Sequence, residues 1–163
     1  MTNYSCTTNV GSSCTALVHT PRSDCPVVLI IEDHEDTRFL LRVILERRRM
    51  RVVEAVDGAA GVRAAERLRP DLILMDWSLP RIDGLSATRL IHERDSLRQI
   101  PIVFLSAHVA PASQRAAREA GCSEYLIKPL NFDHLDRVLR KYLQFRLIGG
   151  YAGRPSFSTR GKL

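Results

Sequence analysis

The residues with most chemical potential fall where short apolar runs end. Glu32 and Asp33 follow VVLII, Asp76 follows LILM, Ser106 follows IVFL, and Lys128 with Pro129 follows YLI. If those runs are strands of one sheet, three carboxylates, a hydroxyl and an ammonium converge on one edge. Singly, each has a plain structural reading: an Asp after a strand is commonly a turn or helix-cap residue, and a Lys before Pro is commonly solvated. Together they conflict electrostatically, because clustered carboxylates repel and raise one another's pKa values. A hard divalent cation removes the conflict, and Mg²⁺ favours a few carboxylates with several waters retained. Such an ion can neutralise an incoming phosphoryl group, while Lys128 and the Ser106 hydroxyl hold its remaining oxygens. Asp76 is then the expected nucleophile, since carboxylates form aspartyl-phosphates.

Positioning that set requires a particular arrangement of elements. Five buried-strand candidates occur at Val27–Ile31, Arg51–Ala55, Leu72–Met75, Ile102–Leu105 and Tyr125–Ile127. Continuous apolar runs of this length suit a parallel sheet covered on both faces. Helical patterns lie between them. In the last, Phe132, Leu135, Val138, Leu139, Tyr142 and Leu143 recur at spacings of three and four, a stripe for the sheet, with Asn131 placed to cap it. Gly58 and Gly121 fall at element junctions and Pro70 follows the second helix. Strand–helix alternation five times over predicts a doubly wound α/β fold, with ligands at the carboxyl ends of its strands.

At 163 residues the chain has room for one domain with a substantial core. Residues 1–26 are rich in Thr, Ser, Asn and Cys and read as a flexible leader; 27–145 form the patterned domain, and 146–163 a basic tail. The formal net charge of +6 invites a nucleic-acid reading, but the domain itself is nearly balanced. The tail carries Arg146, Arg154, Arg160 and Lys162 without an acid or an aromatic platform, so nucleic-acid binding is not expected. Arg47, Arg48, Arg49 and Arg51 cluster at a helix end, where cations complement the helix dipole. Cys6, Cys14, Cys25 and Cys122 form no CxxC pair and lack the spacing of a zinc site. No apolar run approaches the roughly 18–20 residues needed to span a bilayer, and no secretory signal pattern opens the chain. A cytoplasmic protein is expected.

The motifs VVLIIEDHEDTR, DLILMDWSLPRIDGL, IPIVFLSAH and EYLIKPL, in this order and spacing, resemble those of response-regulator receiver domains of bacterial two-component systems. The resemblance runs from Val27 to about Phe145. It implies a flavodoxin-like (βα)₅ fold with strand order 2-1-3-4-5. By the same resemblance Glu32 and Asp33 match the acidic pair that binds Mg²⁺ (or Mn²⁺), with Glu32 standing where Asp is commoner. Asp76 matches the phospho-acceptor, and Ser78 the position whose backbone carbonyl ligates the metal. Ser106 matches the hydroxyl residue, Lys128 the phosphate-binding lysine before a cis proline, and Tyr125 the aromatic switch. Pro80 and Gly84 match the loop after the acceptor. His108 and Ser78 occupy positions that influence phosphoryl hydrolysis in the family.

The resemblance implies phosphoryl transfer to Asp76 from the phosphohistidine of a histidine kinase or phosphotransfer protein. Ser106 and Tyr125 then shift the surface of the fourth and fifth strand–helix units, which a downstream protein or a second copy reads. The fourth helix is Ala-rich (Ala112, Ala116, Ala117, Ala120), and a flat exposed face there would suit docking as well as simple helix propensity. About eighteen residues follow Phe145, too few for a DNA-binding or enzyme domain. The leading expectation is therefore a non-enzymatic, single-domain regulator acting by protein contact. Its competitors are a phosphorylation-independent binding module of the same fold and a DNA-contacting regulator using the basic tail. A small-phosphoester phosphatase is disfavoured, because position 78 is Ser where an Asp-x-Asp pair is needed.

Overall fold

The computed structural model describes residues 25–143. The expectations for residues 1–24 and for the basic tail, including Cys6 and Cys14, lie outside the described residues. Ten elements alternate: β1 (Val27–Ile31), α1 (Glu35–Glu46), β2 (Arg51–Ala55), α2 (Gly58–Leu68), β3 (Leu72–Asp76), α3 (Gly84–His92), β4 (Ile102–Ser106), α4 (Pro111–Glu119), β5 (Glu124–Ile127) and α5 (Phe132–Leu143). All strand pairs are parallel, and the sheet order is β2-β1-β3-β4-β5. The chain thus winds outward in both directions from β1 and β3, the switch point at which open α/β sheets form ligand crevices.

Side chains on successive strand residues point to opposite faces, and the two resulting cores are distinct. Leu29, Ile31, Ile73, Met75, Ile102 and Phe104 pack against Val62, Ala65, Ala87, Ile91 and Ala117 of α2, α3 and α4. Val28, Ile30, Leu72, Leu74, Val103, Leu105 and Leu126 pack against Leu41 and Leu45 of α1 and Leu135, Val138 and Leu139 of α5. β3 is buried along its whole length, which explains why its sequence shows no polar alternation before Asp76.

Local chemistry sets the helix boundaries. Asp57 and Asp83 accept from the amides of Ala60 and Ser86 at the starts of α2 and α3. Asn131 Oδ1 accepts from His134 N–H at 3.0 Å, the cap expected for α5. Gly121, at φ +101°, turns the chain out of α4 in a conformation that favours glycine.

Several sequence expectations shift. Asp76 and Ser106 belong to β3 and β4 as their last residues, and β5 starts one residue earlier, at Glu124. Phe132 opens α5 but is exposed, outside the buried stripe formed by Leu135, Val138 and Leu139. The alanines of the fourth helix do not make one flat exposed face, because Ala117 and Ala120 are buried. Of the arginine cluster, Arg48 does meet the end of α1, donating to Ile44 O at 2.8 Å, and it also binds Asp136 of α5 at 2.6 Å. Cys122 donates to Glu124 O, and burial pushes its thiol pKa up, which suits packing rather than reactivity.

Candidate functional site

The carboxyl ends of β1, β3, β4 and β5 bring the expected residues to one edge. Lys128 spans the middle of the site: its Nζ donates to Glu32 Oε2 at 2.7 Å and to Asp76 Oδ1 at 2.6 Å. Glu32 is 1 % exposed and Asp76 5 % exposed. The peptide bond from Lys128 to Pro129 is cis, as the resemblance implies. On the other side of that carboxylate, the Ser78 amide donates to Asp76 Oδ2 at 2.8 Å. Both carboxylate oxygens of Asp76 are therefore held.

Two carboxylates sharing one ammonium leave a surplus negative charge, and the titration shifts reflect it. Burial pushes the Glu32 carboxyl above the ordinary range and the nearby Asp76 charge adds to this, outweighing the hydrogen bond from Lys128. Burial alone would depress Lys128, but hydrogen bonds to Asp76 and Glu32 and their charges raise it instead. Both partners shift upward because the ammonium sees two anions while the deeper carboxylate sees a second anion and little water. Asp33 adds a third acid at the rim, and ligand atoms of Glu32, Asp33 and His34 lie within 4.8 Å of one another. The carboxylates of Glu32, Asp33 and Asp76 are hard oxygen donors with more negative charge than Lys128 balances, the kind of set a hard divalent cation satisfies, so Mg²⁺ or Mn²⁺ fits these three residues.

Two expected participants are placed differently from a fully assembled phosphoryl site. Ser106 is buried, and its Oγ bonds to His108, accepting from its amide at 3.0 Å and lying 3.1 Å from Nδ1. Tyr125 donates its hydroxyl to His108 O at 2.6 Å and stacks on Phe104 at 6.4 Å.

Three contributors escape a reading of the motifs alone. Arg38 NH1 donates to the carbonyls of Glu32 (2.9 Å) and Asp33 (3.1 Å), pinning the acidic loop to α1. Trp77, directly after Asp76, packs against Phe104, His108 and Tyr125. Arg81, in the loop after β3, pairs with the buried Asp57 that caps α2. The only sequence hints were the single Trp beside Asp76 and an Arg six residues after Glu32.

The sheet order and the residues gathered at this edge are those that the receiver resemblance implies. The sequence profile of the response regulator receiver domain family matches residues 28–140, and the chain belongs to that family. It is 32 % identical over 116 residues to the polar-differentiation response regulator DivK of Brucella anthropi, covering 71 % of this chain and 94 % of that protein. The receiver domain of a sensor histidine kinase from Pseudomonas aeruginosa, crystallised with a magnesium ion coordinated in its active-site cleft, superposes with a TM-score of 0.69. It shares 35 % identity, covering 74 % of this chain and 99 % of that one. A signal receiver domain of a histidine kinase from Syntrophus aciditrophicus gives a TM-score of 0.69 at 26 % identity, covering 82 % and 100 %. Among the described residues no helix is long and apolar enough to cross a membrane.

Proposed function

We propose that this protein is a phosphoryl-accepting switch, phosphorylated on Asp76 by the phosphohistidine of a histidine kinase or phosphotransfer protein. The observation that carries the reading is the Glu32–Lys128–Asp76 arrangement: a buried carboxylate held at both oxygens, at the switch point, beside a surplus of negative charge. An Asp76 oxygen attacks phosphorus in line, the P–N bond breaks, and its electron pair leaves on the donor imidazole. Lys128 exchanges its bond to Asp76 for one to a phosphoryl oxygen, and Ser78 N–H holds the other side of the acceptor. Glu32, Asp33 and Asp76, with the Ser78 carbonyl, would hold Mg²⁺, which supplies charge neutralisation for the incoming phosphoryl group. The work of the residues is positioning and electrostatics rather than proton transfer, so the protein is a substrate of phosphoryl transfer and not itself an enzyme.

Output follows through Ser106 and Tyr125 to the face built by α4, β5 and α5, where Val109 and Ile127 are already exposed. A downstream protein, or a second copy in a homodimer, reads that face, in the bacterial cytoplasm where the phosphohistidine donors act. Incubation with Mg²⁺ and acetyl phosphate followed by intact-mass measurement tests the proposal. One added phosphoryl group on wild type and none on Asp76→Asn is expected. An unmodified wild type would favour a phosphorylation-independent binding module, and equal labelling of both would displace Asp76 as acceptor.

A further inference from the structure

Resting on the phosphoryl-acceptor reading, we propose that His108 is a positioning residue that holds the Ser106 hydroxyl in reserve and sets how tightly the site takes a phosphoryl group. Asp76 pairs in register with Leu105, so Ser106 is the next residue along β4, at the edge of the acceptor site. Its side chain is committed elsewhere. The Oγ accepts from His108 N–H at 3.0 Å and lies 3.1 Å from His108 Nδ1. With the ring proton on Nε2, Nδ1 accepts the hydroxyl hydrogen. A serine has one such hydrogen. A hydroxyl bonded to Nδ1 therefore has nothing to donate to a phosphoryl oxygen, and Ser106 is too buried to take a substitute partner from bulk water.

Ring and backbone are both held at His108. Its ring packs on Trp77 with centroids 5.5 Å apart and planes 34° apart. Its carbonyl receives the Tyr125 hydroxyl at 2.6 Å. Trp77 in turn follows Asp76 directly and is tied to β4 through its amide, which donates to Leu105 O at 3.1 Å. Ser106 and Trp77, the neighbour of Asp76, thus meet at the His108 ring, and the Tyr125 hydroxyl meets the backbone carbonyl of the same residue. To coordinate a phosphoryl group, Ser106 must first leave His108. The protein loses one hydrogen bond in gaining another.

That exchange is measurable with a non-covalent phosphoryl mimic, which separates binding from hydrolysis. Beryllofluoride affinity at saturating Mg²⁺ is determined by calorimetry on the full chain. His108→Ala is expected to bind about threefold to tenfold more tightly than wild type, the equivalent of one net hydrogen bond. His108→Asn, whose Oδ1 can accept the same hydroxyl hydrogen, is expected to return affinity to about the wild-type value. In a Ser106→Ala background the effect of His108→Ala is expected to vanish, because no hydroxyl remains to be released. Unchanged or weaker binding by His108→Ala overturns the inference, as does equal tightening with and without the Ser106 hydroxyl. Wild type that binds no beryllofluoride overturns the phosphoryl-acceptor reading and this inference together. Binding without the Ser106-dependent tightening overturns this inference alone.

Discussion

Replacing Lys128 by Met removes the one positive charge that, among the described residues, is bonded to the carboxylates of Glu32 and Asp76, and leaves those carboxylates, on residues 1 % and 5 % exposed, beside one another. Removing one partner of a buried ion pair typically costs about 3–5 kcal/mol, since the remaining charge is uncompensated. Lys128 itself is 25 % exposed, which places the expected loss near the lower end, about 3 kcal/mol at neutral pH in the absence of divalent cation. Mg²⁺ changes the outcome, because in wild type the ion competes with the ammonium for the same carboxylates and in the variant it does not. With both proteins saturated, Mg²⁺ reduces the loss only by the ratio of their affinities, about 1.4 kcal/mol for each tenfold by which the variant binds the ion more tightly. Urea unfolding of Lys128→Met should therefore show a loss of about 3 kcal/mol without Mg²⁺ that shrinks by about 1.4 kcal/mol at saturating Mg²⁺ for a variant that binds tenfold more tightly. The variant should also bind Mg²⁺ more tightly than wild type. A loss that is the same with and without Mg²⁺ would refute the idea that ammonium and metal share one site.

Three further predictions rest on other parts of the site. Glu32 has a raised folded-state pKa, so protonation favours the fold: without metal, its contribution to stability rises as pH falls through that value and is complete below the ordinary carboxylate pKa. Glu32→Gln should abolish this pH dependence in acid titrations of stability and weaken Mg²⁺ binding at least tenfold, on the order of one lost charged ligand; an unchanged pH profile would count against the assignment. At Gly84 a Cβ would run into the Asp76 carbonyl and the Phe104 ring, so Gly84→Ala should cost about 1–3 kcal/mol in urea unfolding and slow labelling by acetyl phosphate. Arg48→Ala removes the bond to Ile44 O together with the half-buried pair to Asp136, and should lower stability by about 1–2 kcal/mol while leaving phosphoryl acceptance intact.

The frame of the fold was legible because β1, β3 and β4 are apolar runs and amphipathic helical patterns lie between the strands. VVLII, LILM and IVFL are buried on both faces, and that is what an uninterrupted apolar sequence encodes. Asn131 could be read as a cap because capping depends on residues three apart. The acidic pair, acceptor, hydroxyl and lysine were legible as a set because each terminates a strand, and parallel strands deliver their ends to one edge. What escaped depends on distant partners. Lys128 meets residues 96 and 52 positions away, and nothing local says that it bridges the two acids rather than standing apart from them. The Ser106–His108 bond spans only two residues, but the imidazole that makes it packs against Trp77, which follows a different strand. Phe132 fits the apolar stripe by periodicity, yet it is exposed in the first turn of α5, and burial begins at Leu135. The alanines around α4 left a docking face and simple helix propensity equally open, and burial of Ala117 and Ala120 removes them from any exposed face.

The central claim is that phosphate resides on Asp76 as an acyl phosphate, a bond that borohydride reduces and that phosphoserine and phosphohistidine do not share. Wild-type protein treated with Mg²⁺ and acetyl phosphate, reduced with borohydride and mapped by peptide mass spectrometry provides the direct measurement. Homoserine at position 76, dependent on both Mg²⁺ and the phosphodonor and found at no other acidic residue, is the expected result. Reduction at Glu32 or Asp33, or phosphate that survives borohydride on another residue, would contradict it.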